Sequence, residues 1–255
     1  TVARDHRPVD SGGSVVDSLH EHACGRWAAL LGVAAEDLVL CASASDALSL
    51  MARCLLAPGD VAVIAQPCDV VLPAAVVAAA GTYLDAGRLF DGRLDAGAAA
   101  AALQRHADAV LFGCRPSLGG ADDLLEAREL GWRAVVMDNR HAASLFGDVA
   151  ALSAGADAVV VALRDPAEPA APLLHAVACA PGCGTAVAAV LGPAPLPLIV
   201  LRAVINTVDW LAGRGAGDNA AWAAKMAENA GKLQDLLANR AGVVVQTGGA
   251  TALVW

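Results

Sequence analysis

Lysine is almost missing from this 255-residue chain: Lys225 and Lys232 are the only two, so residues 1–224 offer no ε-amine for imine chemistry. Aromatic side chains are also few, at 4%, against an apolar fraction of 57%. The core must therefore be built from alanine, valine and leucine in packed layers, and this composition excludes a disordered chain. Positive charge is short as well. Lysine and arginine number 17 against 26 acidic residues, for a net charge of −9 and a pI near 5.0. With no basic stripe, binding to nucleic-acid phosphates is excluded. Long unbroken hydrophobic runs are lacking too. Gly184 to Val204 is apolar but is interrupted by Gly192-Pro193-Ala194-Pro195-Leu196-Pro197, which a lone helix in lipid could not accommodate. The polar stretch Thr1 to Gly13 contains no apolar signal core. The seven cysteines (Cys24, Cys41, Cys54, Cys68, Cys114, Cys179, Cys183) are odd in number and lack paired zinc spacing. A reduced, cytoplasmic setting without membrane attachment is the expectation.

What is present is an alternation of short apolar runs and helical periods. Ser14 to Leu31 reads as a helix stopped by Gly32, followed by a strand at Leu38 to Cys41. Strands follow at Val61 to Ala65, Thr82 to Leu84, Ala109 to Phe112, Ala134 to Asp138, Ala158 to Leu163 and Leu174 to Cys179, the first four separated by helical stretches. Such alternation predicts a three-layer α/β fold, a mostly parallel sheet with helices on both faces, binding ligands at the carboxyl ends of its strands. Two long helices are expected at 195–213 and 218–239, then two strands at 243–246 and 251–255. The domains expected are a large one over 1–213 and, over 214–255, the start of a truncated small C-terminal α+β part.

Several segments could carry chemistry. Leu40-Cys41-Ala42-Ser43-Ala44-Ser45-Asp46-Ala47-Leu48 is a strand, a small-residue turn and a helix start, whose free amides and dipole suit an anion. Pro58-Gly59-Asp60 precedes an apolar strand, and Cys68 lies beyond it. Asp138 ends a strand and is followed by Asn139-Arg140-His141-Ala142; such an acid either caps the next turn or faces a ligand. Ala154-Gly155-Ala156-Asp157 leads into the strand at 158–163, which opens onto Arg164-Asp165-Pro166-Ala167-Glu168-Pro169. His20, His22 and Cys24 are not expected to share a metal, because residue 22 points away from the other two on a helix. Lys225, Glu228 and Lys232 read as an ordinary charged helix face.

Taken together, these segments resemble the fold-type I pyridoxal-phosphate enzymes, most nearly the major domain of the ornithine, lysine and arginine decarboxylases, over roughly Val15 to Leu237. The resemblance implies pyridoxal phosphate as cofactor, with its phosphate at Ser43, Ala44 and Ser45 and its ring face against Cys68. Asp138 would meet the pyridine nitrogen, and His141 would complete the family's Asp-Glu-Ala-His pattern. The family has glycine where Ala44 stands, and an aromatic residue or histidine where Cys68 stands; Cys68 also reads as a buried structural thiol. The Schiff-base lysine would fall at Asp165 counting from Asp157, or at Ala167 counting back from Ala171-Pro172. Neither is lysine, and Arg164 cannot form an imine.

The function expected is that of a pseudoenzyme, a non-catalytic partner in a homodimer or heterodimer with an active homologue. The rivals are a true decarboxylase, aminotransferase or lyase with its lysine altered, a catalyst of other chemistry using Asp138, His141, Arg164 or Asp165, and a small-molecule binding module.

Overall fold

Valine-rich runs favour extended backbone and alanine-rich runs favour helix. The computed structural model describes residues 12–65, 68–87, 94–114, 121–142, 144–169, 171–191, 196–237, 240, 245–248 and 251–254. Helix α1 (Gly12–Leu31) leads through a 3₁₀ turn (Ala35–Asp37) to β1 (Leu38–Cys41) and α2 (Ala44–Leu55). There follow β2 (Val61–Ile64), α3 (Val71–Ala78), β3 (Thr82–Asp85), α4 (Ala96–Arg105), β4 (Val110–Cys114), α5 (Ala121–Glu129), β5 (Ala134–Asp138) and α6 (Ala150–Ser153). Strands β6 (Ala158–Arg164) and β7 (Pro172–Cys179), helices α7 (Gly184–Leu191) and α8 (Leu198–Leu237), and strands β8 (Val245–Gly248) and β9 (Thr251–Val254) complete the order. The polar segment before residue 12 and the glycine- and proline-rich stretch at 192–195 lie outside the described residues.

Seven strands form one sheet in the order β1-β7-β6-β5-β4-β2-β3. Only β7 runs against the others, antiparallel to both β1 and β6. The reason is the short 165–171 connection from β6, which cannot make the crossover of a dozen or more residues that a parallel neighbour needs. The six remaining strands thus present their carboxyl ends along one edge.

Alternate residues of each strand feed two separate cores. Val135 and Met137 of β5 face the side covered by α1, α4, α5 and α8. Ala134 and Val136 face the side covered by α2 and α3, with α7 packed against it. The sheet is buried on both faces, which explains why its strands read as continuous apolar runs.

The pair of long helices expected at 195–213 and 218–239 is a single 40-residue helix, about 60 Å long at the standard rise. The glycines at 213, 215 and 217 do not break it. Its first half packs along α1, where Arg26 donates to Asp209 at 2.7 Å, and the 213/214 division falls within it. Among the described residues no helix is long and apolar enough to cross a membrane.

Two acids, the buried Asp37 and the partly exposed Asp157, tie distant segments together. Asp37 accepts from the backbone amides of Gly182, at 2.9 Å, and Gly184, at 3.1 Å. Asp157, the acid before β6, accepts from the Val135 amide at 2.7 Å and from Arg128 at 3.0 Å, which aligns the starts of β5 and β6.

Candidate functional site

The carboxyl ends of β1, β6 and β5, with the start of β7, bring Cys41, Arg164, Asp138 and His175 to one edge. His175 pairs in register with Cys41 on one side and Ala162 on the other.

Asp138 ends β5 and is nearly enclosed, its side chain 7% exposed. Its carboxylate is taken by a residue two positions further on. Arg140 Nε donates to Asp138 Oδ1 at 2.8 Å and Nη2 to Oδ2 at 2.7 Å, a bidentate fork in which both oxygens are engaged. The same Nη2 donates to Asp69 Oδ2 at 2.8 Å. Burial works against the charge on Arg140, but Asp138 and then Asp69 outweigh it and hold the guanidinium firmly protonated. Burial likewise opposes ionisation of Asp69. The Val71 amide and the Arg140 guanidinium outweigh that effect and keep its carboxyl below the ordinary range.

Arg164 closes the edge from β6. Its Nη1 donates to the Pro169 carbonyl at 2.8 Å and its Nη2 to the Arg140 carbonyl, so it clamps the 165–171 connection onto the turn after β5. Burial and the nearby Arg140 lower its pKa. His175 is half-buried among these groups. Burial, then Arg140, push its pKa down to about 4 against the opposing pull of Asp138, so it is neutral at pH 7.

At the β1 end of the edge, Ser43 caps α2: its Oγ accepts from the Asp46 amide at 3.1 Å and donates to Asp46 Oδ2 at 2.8 Å. The Asp46 carboxylate therefore sits in the first turn of that helix, where an anion would have to bind. Ala44 is half-buried and Ser45 exposed.

The remaining sequence-derived candidates take no part in the Asp138–Arg140 fork. Cys68 is half-buried rather than enclosed, and His141 is exposed on the turn after β5, where its charge acts on Asp69. The Asp165 carboxylate accepts from the Ala167 amide at 2.8 Å, an ordinary turn contact. Cys24 is a buried thiol donating to the Leu38 carbonyl at 2.9 Å, and no cluster among the described residues could hold a metal. Two residues that organise the site, Arg140 and His175, escaped the sequence reading. Arg140 was legible as the arginine standing at the alanine of Asp-Glu-Ala-His. His175 was legible as the lone polar residue in Leu173-Leu174-His175-Ala176-Val177.

The sheet order and covering helices are shared with known enzymes. The chain superposes on Thermus thermophilus aspartate aminotransferase with a TM-score of 0.68 at 16% identity, covering 92% of this chain and 70% of that one. It matches the Escherichia coli methionine aminotransferase YbdL with a TM-score of 0.71 at 15% identity, covering 93% and 66%. For Sinorhizobium meliloti histidinol-phosphate aminotransferase in complex with pyridoxal phosphate, the values are 0.68, 16%, 92% and 66%. The fold is aminotransferase-like. No protein-family model and no curated protein matches the sequence. The chain spans about two thirds of the length of these enzymes.

Among the described residues, those at the positions where the resemblance would put pyridoxal phosphate do not fit it. The carboxylate that would hold a pyridinium N–H already holds two guanidinium N–H groups, and the helix start that would hold the phosphate carries Asp46. Arg164, Asp165 and Ala167 supply no imine-forming amine.

His175 gives the site a pH signature. Its pKa is about 4 in the fold, against 6.5 in the unfolded chain, so between these values the unfolded state binds more protons and stability falls as pH drops. Denaturation midpoints measured from pH 7 to pH 4 should decline less steeply for His175→Gln than for the native sequence. Parallel curves would remove His175 from the acid response.

Proposed function

We propose that this chain is a non-catalytic relative of the pyridoxal-phosphate aminotransferases and amino-acid decarboxylases, working in the reducing cytoplasm beside a lysine-bearing homologue. The observation that carries this reading is the Arg140 fork on Asp138, which satisfies with the chain's own cation the acid a cofactor ring would need. The lysine-free opening of the loop after β6 supports it independently. The buried thiols do not supply an alternative nucleophile: burial pushes Cys24 up to about 11 and Cys41 and Cys179 up to about 12, so at neutral pH they stay protonated.

The direct test is incubation with pyridoxal phosphate, borohydride reduction and peptide mass spectrometry. No pyridoxyl adduct is expected in the cleft, because the lysines sit on α8, ion-paired with Glu228. An adduct that tracks with amino-acid turnover would overturn the reading.

Association with a second chain is part of the same proposal. Val70, Ile199 and Leu236 are 85%, 78% and 73% exposed, apolar area that an interface would cover. Light scattering should give at least a dimer at micromolar concentration, alone or on co-expression with a lysine-bearing homologue; a stable monomer in both preparations counts against it.

A catalyst of different chemistry in the same cleft is the second reading, favoured by His175, a neutral imidazole close to two guanidiniums. It requires His175→Ala to abolish a turnover that the native chain displays.

A further inference from the structure

Buried carboxylates rarely come in pairs without a cation between them, since each loses hydration and each repels the other. Asp138, enclosed at the end of β5, and Asp69, partly exposed just before α3, come close to such a pair and are bridged by one guanidinium. We propose that they form a receptor for a single planar cation, which the chain fills with Arg140; a variant lacking that side chain takes a planar cation from solution instead. The inference deepens the non-catalytic reading and rests on it.

Geometry defines the class of ligand. Three oxygens are engaged by a single planar group at 2.7–2.8 Å, a match that a flat fork of N–H donors makes and a spherical ion does not. Guanidinium and amidinium ions fit best. A protonated pyridine, with one in-plane N–H, would satisfy part of the same receptor. The slot is also accessible. Asp138 and Arg140 side chains are each 7% exposed, whereas Asp69 is 25% exposed, so the receptor opens beside Asp69, next to the exposed His141. Its position at the carboxyl edge of the sheet is where such folds bind ligands.

The experiment compares Arg140→Ala with the native chain. Low-millimolar guanidinium chloride, far below denaturing concentrations, should raise the melting temperature of Arg140→Ala relative to equal sodium chloride, and leave the native protein unmoved. Pyridoxine 5′-phosphate serves as the second probe because, having no aldehyde, it cannot form imines with Lys225 or Lys232. By calorimetric titration it should bind Arg140→Ala at least tenfold more tightly than the native chain, with inorganic phosphate showing no such difference. Adding Asp138→Asn should remove both effects. If Arg140→Ala folds only when guanidinium is present, that requirement itself supports the receptor. If it folds in neither salt, Arg140→Gln, which keeps most of the packing, takes its place in the same comparison. Equal responses of variant and native protein overturn the proposal. A borohydride-trapped adduct in the native cleft would instead overturn the non-catalytic reading, so the two failures are distinguishable.

Discussion

Asp138→Ala is expected to lower the folding free energy by about 3–5 kcal/mol, the range found when one partner of a buried ion pair is removed. The alanine leaves the Arg140 guanidinium enclosed with only Asp69 to neutralise it. Arg140→Met should cost a comparable amount for the opposite reason, since Asp138 and Asp69 would then face each other without a cation. The double variant Asp138→Ala/Arg140→Met should be less damaging than the sum of the two single changes, because removing both partners leaves neither member of the pair buried with its charge uncompensated. Urea denaturation of the four proteins checks this. Strictly additive losses would mean that the fork contributes nothing as a pair.

Gly184→Ala should cost about 3 kcal/mol or more, at the upper end of overpacking effects. An added Cβ would lie 2.0 Å from the Glu36 carbonyl oxygen and 2.5 Å from the Asp37 Cα, both backbone atoms with no rotamer to yield. The same shift would break the amide bond from Gly184 to Asp37. Gly182→Ala is the control: its φ is +82° but open space surrounds it, so only the left-handed backbone cost of about 1–2 kcal/mol applies. Thermal melts that show equal losses at the two positions would rule out the steric argument.

Much of the scaffold was legible because the strands are buried on both faces. Runs such as Ala134-Val135-Val136-Met137-Asp138 end where the sequence says they end, and Ser43 and Asp95 mark helix starts through the side-chain caps they make. The long helix was misread because glycine propensity is a weak prior, and packing against α1 outweighs it over many turns. Helix α7 was hidden by an alanine- and valine-rich segment with no charge to show its period. The reversed direction of β7 could have been deduced from the seven residues at 165–171, too few for a parallel crossover. At the site, Asp138 was found but its partner was not. A spacing argument looks for groups on one face of an element, whereas Arg140 curls back from a turn onto the acid two residues before it.

The placement of β1 also dictates when the sheet can be finished. β1 lies at the edge and its sheet partner is β7, reached only after the rest of the sheet has been threaded. During synthesis at about 5–20 residues per second, Leu38 to Cys41 must therefore wait roughly 7 to 26 seconds with their amides unpaired. The carboxylate of Asp37 waits with them, since the glycine amides that receive it at 182 and 184 emerge later still. Closure of this edge is a late, non-local event, and a nascent chain stopped before residue 172 carries β1 as a loose apolar strand.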